Sequence, residues 1–334
     1  MPADLRDGPL VVSYRGAGVD LEGAGRHTDS IASTVTATWK TEVIGTFGGF
    51  AAGVRLPEGI EDPVLMMSTD GVGTKLDVAR RADRWDGVGF DLVAMCVDDL
   101  AVAGASPIGF VDYLAVGSLQ PERDRAIVES VAAACLRAGC PLLGGETAEH
   151  PGVMDPDAVD LAGAVMGVVE SKSVLGPDRV RDGDVVVGLL SPNLRSNGFS
   201  LVRAVLGEEV VGHADILLEP SVIYSPVVLA AVETGGIHAA AHVTGGGIAA
   251  NLARSLPEGL GATIDTRTWD RPAVFSLLSE RGVPEEEMRR TFNLGMGFCL
   301  VAAKGAVEEV IEVASAHSPR VIGQIRPGHG VVLN

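Results

Sequence analysis

Between Gly87 and Ala105 the apolar residues Val88, Leu92, Met95 and Val102 recur at helical intervals, yet the same stretch carries Asp91, Asp98 and Asp99. The three carboxylates are seven or eight positions apart, so they share one face of the helix near Met95. An unpaired charge buried in such surroundings costs on the order of several kcal/mol. Any fold open to this chain must therefore bring something positive to Asp98 and Asp99, or leave them on an exposed edge of the helix. A magnesium ion shared with Asp70 and nucleotide phosphates would serve, since that ion takes one or two carboxylates plus phosphate oxygens. An arginine partner would serve as well.

Around this helix the apolar pattern alternates between strand-like and helix-like runs. Strands are predicted over 63–67, 108–116 and 158–169, with helices over 87–105 and 123–138. The polar stretch 171–183, containing Pro177 and two glycines, reads as a linker. Beyond it the alternation resumes: strands over 184–190, 239–243, 262–265, 297–302 and 321–325, and helices over 200–206, 220–233, 272–280 and 306–317. At roughly 100 to 200 residues per domain, 334 residues fit two α/β domains, 1–170 and 171–334. No repeat of 20 to 50 residues is visible, which excludes a solenoid. Gly16, Gly18, Gly23 and Gly25 crowd the first 30 residues, which read as a flexible arm or lid.

The charge balance, 26 basic against 44 acidic residues for a net −18, repels a phosphate backbone and excludes a general nucleic-acid or anionic-membrane surface. Residues 1–10 hold no apolar signal core, and no run reaches the ~18 apolar residues of a membrane span. Cys96, Cys135, Cys140 and Cys299 lack CxxC spacing and sit in apolar surroundings, the pattern of buried free thiols in a reducing cytosol.

The strings at strand ends carry the chemistry. In Thr69-Asp70-Gly71-Val72-Gly73-Thr74-Lys75, two glycines free backbone N–H groups, Asp70 offers a metal-seeking carboxylate and Lys75 a phosphate-seeking ammonium. The spacing is not that of a Walker A loop. A Gly-rich turn with a solvated lysine is the plainer alternative. Gly144-Gly145-Glu146-Thr147 adds a carboxylate after an apolar run, or is a turn before an acidic helix start. Arg195-Ser196-Asn197-Gly198 could hold an anion at a helix start or be a capped turn, and His242-Val243-Thr244-Gly245-Gly246-Gly247 could cradle a phosphate. A lone His242 is otherwise more readily a structural residue than a catalytic one. The other histidines, His27 among them, have no metal or triad spacing.

Taken in order, these strings resemble the phosphoribosylformylglycinamidine cyclo-ligase (aminoimidazole ribonucleotide synthetase) family. The resemblance runs nearly end to end, through Ala17 to Asp20, Gly48-Gly49-Phe50, Thr69 to Lys75, Asp91 to Val97, Gly144 to Glu149, Ser196-Asn197-Gly198, Thr244 to Gly247 and Arg290 to Asn293. It implies two α/β domains, the first ferredoxin-like, and a homodimer whose N-terminal sheets meet as a barrel. It implies ATP and Mg2+, and a ribonucleotide substrate whose amide oxygen is phosphorylated before ring closure. Residue by residue it implies a catalytic set of Lys75, Asp70, Arg195 and His242, and metal carboxylates at Asp70, Asp98 and Asp99. The nucleotide would meet Gly18, Gly48, Gly49, Thr69, Gly71, Gly73, Thr74, Gly145, Glu146, Thr147, Ser196, Asn197, Thr244, Gly245 and Gly246.

The chain departs from the family pattern in several places. Arg195 stands where the family usually shows His, Asp98 where it shows Asn, Val222 where it shows Arg, Ala250 where it shows Glu, Leu294 where it shows Cys and Gly16 where it shows Asp. These departures leave open a paralogue that activates another amide or acid with ATP. A non-catalytic nucleotide-binding scaffold is a further alternative.

Overall fold

The computed structural model describes Ser13 and residues 15–334. The expectation of no signal core in residues 1–10 lies outside the described residues. The first half comprises α1 (Leu21–Thr36), the two-strand ribbon β1 (Val43–Ile44) and β2 (Gly53–Val54), β3 (Pro63–Gly71), α2 (Lys75–Ala82), α3 (Val88–Val102), β4 (Ser106–Val116), α4 (Pro121–Ala138), β5 (Leu142–Glu149) and β6 (Val159–Glu170). Its sheet has the order β3-β6-β4-β5, antiparallel except for the parallel pair β4 and β5. The crossover between that pair is α4, which opens on Pro121 and closes on left-handed Gly139 (φ 71°).

The second half comprises β7 (Val185–Leu190), α5 (Phe199–Leu206), α6 (Ala214–Leu217), α7 (Ser225–Glu233), β8 (Ile237–His242), α8 (Gly247–Ala253), β9 (Leu260–Ile264), α9 (Ala273–Glu280), α10 (Glu285–Thr291), β10 (Met296–Ala302), α11 (Val307–Val313), β11 (Arg320–Pro327) and β12 (Gly330–Leu333). Its six strands lie in the order β12-β9-β11-β7-β10-β8. Every residue of β10 is buried, as befits an unbroken apolar run flanked on both sides. The two-sheet, mixed α/β architecture is the expected one.

Alternation along the strands of the first sheet sends Phe110, Leu114, Leu161 and Val165 inward, onto α3 and α4. The opposite face is open: Leu65 and Met67 on β3 are 54% and 74% exposed, and Val111 and Tyr113 on β4 are also exposed. The core built on α3 and α4 also takes in Leu194, Phe199, Phe275 and Phe292. The apolar interior is thus continuous across stretch 171–183. That stretch is pinned by buried Leu175 and Val180 rather than loose.

Three local expectations are corrected. The flexible amino-terminal arm is, over Leu21–Thr36, a helix whose Ile31 and Val35 join the main core. Its apolar residues recur at helical spacing, and packing outweighs the cost of Gly23 and Gly25. Asp70 and Gly71 do not form a turn but end β3, paired with Gly163 and Ala162. Gly144 to Thr147 likewise belong to β5, whose edge position tolerates glycine in a strand. Helix α10 and strand β12 carry too little apolar pattern to have been foreseen.

Candidate functional site

Helix α3 presents its three aspartates to three different surroundings. Asp91 faces Lys75, whose Nζ lies 2.7 Å from Oδ2 and also donates to the carbonyls of Arg195 and Glu219 at 3.1 Å. Asp91 further accepts from Ser221 Oγ at 2.5 Å. Lys75 is fully buried with all its donor capacity used. It is therefore a cross-link between the halves and not the phosphate ligand expected from the sequence.

Asp98 faces Arg195. Its Oδ2 accepts from the guanidinium at 2.6 Å, and its Oδ1 accepts from the backbone N–H groups of Tyr224 and Ser225, both at 2.8 Å. Both side chains are fully buried. With both oxygens engaged, Asp98 is no metal carboxylate, which corrects that expectation; the arginine partner is the alternative the fold adopts. Arg195 also donates to the Val222 carbonyl at 2.9 Å and lies 5.0 Å over the Tyr224 ring. Three departures from the family pattern, Asp98, Arg195 and Val222, thus form one cluster.

Arg195 continues into the site through His242, whose Nε2 is 2.5 Å from Nη1. A guanidinium has only donors, so Nε2 must accept and the ring proton sits on Nδ1. That proton is donated to Asp99 Oδ1 at 2.8 Å. Asp99, half-exposed, also accepts from Ser68 Oγ at 3.4 Å. Burial pushes its carboxyl up, but the His242 contact, with help from Ser68 and Arg254, outweighs this and holds it below the usual range. Asp70 is shifted the other way, by burial first and then by the charge of Asp99, against the opposing N–H of Gly71. Arg195, expected in the catalytic set, is fully buried, so it exposes no face to a substrate and reaches the cleft only through its contact with His242.

Asp99 and His242 line a cleft of about 360 Å³ between the two sheets, with Ser68, Asn251 and Arg254 on its walls. Among the described residues no three His, Cys, Asp or Glu side chains gather closely enough to hold a metal by themselves. Two neighbouring carboxylates, Asp70 and Asp99, raise each other's cost of ionisation, and such a pair suits an ion that takes its remaining ligands from phosphate oxygens.

The expected nucleotide residues divide between places. Gly48, Gly49, Gly145, Glu146 and Thr147 converge on a second cavity, of about 550 Å³, under α1. Gly73, Thr74, Ser196, Asn197 and Gly245 sit at the seam between the halves. There Thr74 and Ser200 hydroxyls meet at 3.1 Å, Ser196 Oγ donates to the Val72 carbonyl at 2.9 Å, and Gly245 N–H donates to Asn197 Oδ1 at 3.2 Å. Thr244 and Gly246 continue that loop, where Asn251 Nδ2 caps the Thr244 and Gly245 carbonyls. Thr69 gives its hydroxyl to the Gly163 carbonyl at 2.7 Å, and Gly71 closes β3 beside it. Gly18 (φ 98°) stands apart, packed against Pro151. Sequence reasoning missed His27 and Asp112, both buried and both lining the larger cavity. Their only signal was a polar residue at an apolar position of a helix or strand pattern.

Comparison with known proteins gives a consistent picture. Residues 50–169 match the family described as "AIR synthase related protein, N-terminal domain", and residues 181–334 its C-terminal counterpart. The chain is 42% identical over 339 residues to a phosphoribosylformylglycinamidine cyclo-ligase of Synechococcus sp. (strain RCC307), covering 96% of this chain and 98% of the relative. It is 45% identical over 322 residues to the same-named protein of Anaeromyxobacter dehalogenans, covering 92% of each. Among solved structures, hydrogenase maturation protein HypE in complex with ATP superposes with a TM-score of 0.65 at 21% identity, over 90% of this chain and 86% of that one. That likeness is one of fold.

Proposed function

The chain belongs to the phosphoribosylformylglycinamidine cyclo-ligase family, and from that premise we propose that it closes the imidazole ring of aminoimidazole ribonucleotide in purine biosynthesis. The substrate would be formylglycinamidine ribonucleotide, with ATP consumed and ADP and phosphate released. In the first step the amide oxygen forms a bond to the γ-phosphorus and ADP departs. In the second the amidine nitrogen attacks the activated carbon, the C–O bond breaks, phosphate leaves and the nitrogen gives up its proton. Both reacting atoms belong to one molecule, so the protein's task is to position, neutralise and exclude water.

The observation that carries this reading is the Asp99–His242 pair in the cleft between the two sheets, with Asp70 near enough to feel the charges of both, on a chain whose relatives share nearly its whole length. Asp70 and Asp99 would hold Mg2+, which when bound offsets phosphate charge. His242 keeps Asp99 ionised and oriented by donating from Nδ1. The loops carrying Gly73, Thr74, Ser196, Asn197 and Thr244 to Gly246 would close on the ribonucleotide from the seam. Gly48, Gly49, Gly145, Glu146 and Thr147 would enclose the nucleotide. The halves 1–170 and 171–334 would act as nucleotide-binding and substrate domains.

The open face bearing Leu65, Met67, Val111 and Tyr113 supports a homodimer formed through the first sheet. The four buried, unpaired cysteines suit a cytoplasmic protein. Because Arg195 and Asp98 satisfy each other in the interior, their departure from the family pattern asks for no new substrate, while Val222 gives Arg195 only its backbone carbonyl. Incubation of purified protein with ATP, Mg2+ and formylglycinamidine ribonucleotide should release ADP, phosphate and aminoimidazole ribonucleotide in equal amounts. ADP release without the ribonucleotide product, or no turnover at high enzyme, would overturn the reading.

A further inference from the structure

Helix α8 leaves the Gly-rich loop 244–247 and runs along the cleft, and Arg254 follows its last residue, still in helical backbone (φ −65°, ψ −22°). Among the described residues it is the one Lys or Arg that lines the cleft. The other side-chain donors there are occupied. His242 uses both ring nitrogens, on Arg195 and Asp99. Asn251 Nδ2 donates to the carbonyls of Thr244, Gly245 and Gly247. Ser255 Oγ donates to the Ala240 carbonyl at 2.6 Å, and Ser68 Oγ to Asp99 Oδ2 at 3.4 Å. Arg254 makes one hydrogen bond among the described residues, from Nη1 to Asn251 Oδ1 at 3.5 Å, and most of its N–H donors are left over.

The sequence explains why this guanidinium is free. Position 250 lies one helical turn before Arg254 on the same face, and the family pattern carries Glu there. A carboxylate at that spacing pairs with the arginine four residues on. This chain has Ala250, and among the described residues no carboxylate oxygen lies within 4.0 Å of the Arg254 guanidinium. Burial is the largest influence on Asp99 and raises its carboxyl, while His242, Ser68 and then the charge of Arg254 oppose it. Arg254 is thus close enough to act on whatever charge enters beside Asp99. An open guanidinium fork matches the oxygens of a phosphate monoester, which it can hold through two parallel N–H donors.

We propose that Arg254 is the specificity-determining contact for the phosphate monoester of the ribonucleotide, and that Ala250 leaves it free for that task. The inference rests on the ring-closing reading above and names the residue that separates a ribonucleotide from its dephosphorylated riboside. The phosphate gains a charge-assisted pair on a helix that Asn251 ties to the 244–247 loop. The same guanidinium offsets the repulsion between that phosphate and Asp99. No bond forms or breaks at Arg254, so its loss is felt in binding and not in the chemical step.

Steady-state kinetics on the full chain with ATP, Mg2+ and formylglycinamidine ribonucleotide tests this. Arg254→Gln should raise the KM for the ribonucleotide about tenfold or more, with kcat and the KM for ATP changed by less than about twofold. Ala250→Glu, an exposed substitution that restores the helix pair, should raise the same KM about twofold, whereas the uncharged Ala250→Gln should leave it unchanged. Calorimetry with ribose 5-phosphate supplies a readout free of turnover: its affinity should fall about tenfold in Arg254→Gln. An unchanged ribonucleotide KM in Arg254→Gln, or a rise in the KM for ATP in its place, would overturn the assignment while leaving the ring-closing activity standing. Absence of turnover in the unaltered protein would overturn the ring-closing reading. The ribose 5-phosphate titration then decides Arg254 by itself, and equal affinity in the two proteins would remove it.

Discussion

Asp98 and Arg195 meet at 2.6 Å with neither side chain exposed, joining α3 of the first half to the loop after β7 in the second. Two charges taken out of water together are compensated by their attraction and by the backbone donors of Tyr224 and Ser225. Removing one partner strands the other. Asp98→Asn or Arg195→His alone should each destabilise the fold by about 3 kcal/mol, whereas the double variant, which leaves no unpaired charge, should lose far less than their sum. Urea unfolding of the four proteins measures the coupling, and simple additivity would remove the pair from the account.

Lys75 separates the expectation from the finding. As a cross-link buried against Asp91, its replacement by Met should cost about 3 to 5 kcal/mol of stability. In whatever protein remains folded at low temperature, the KM for ATP should change little. A large rise in that KM with unchanged thermal stability would restore the phosphate role.

Asp70, at the end of β3 and within the field of Asp99, carries little structural duty beyond the N–H of Gly71. Asp70→Asn should lower kcat by about 100-fold or more while leaving the thermal midpoint unchanged or slightly raised, since it relieves repulsion from Asp99. Near-normal turnover in a folded variant would count against the metal site.

Asp112 gives the stability a pH signature. Its folded carboxyl titrates at about 7 against 3.8 for the free side chain, so the folded state binds the extra proton between those values. Its contribution to stability is fully present below about 4 and is lost as pH rises through about 7. The urea midpoint, compared at about pH 5.5 and 7.5, should therefore fall less in Asp112→Asn than in the unaltered protein. Equal falls would show that this carboxyl ionises freely.

Met67, on the open face of the first sheet, is expected at the dimer seam. Met67→Lys should shift the protein from dimer to monomer in sedimentation velocity at micromolar concentration, because a buried, unpaired ammonium is poorly tolerated. A dimer of unchanged affinity would place the seam elsewhere.

Much of this molecule was legible in its periodicities. The helix around Met95, the strand starting at Pro63 and the fully apolar β10 follow from local spacing, because burial of one helix face or both strand faces leaves that mark on consecutive residues. The ordered strings from Gly48 to Gly246 named the family, which the relatives share over nearly the whole chain. Helix α1 was obscured because its glycines suggested an arm, while its packing partner α4 lies about a hundred residues on.

By itself, the amino-acid order established that the helix near Met95 carries carboxylates needing compensation, and that the chain builds two α/β halves. Only the tertiary structure decided which carboxylate is compensated by what: Asp91 by Lys75, Asp98 by Arg195 from 97 residues away, and Asp99 left to the cleft with His242. The reason is physical. Periodicity records which side of an element is dry, whereas the fate of a charge depends on distance and on shared donors, and those are fixed only when remote segments pack.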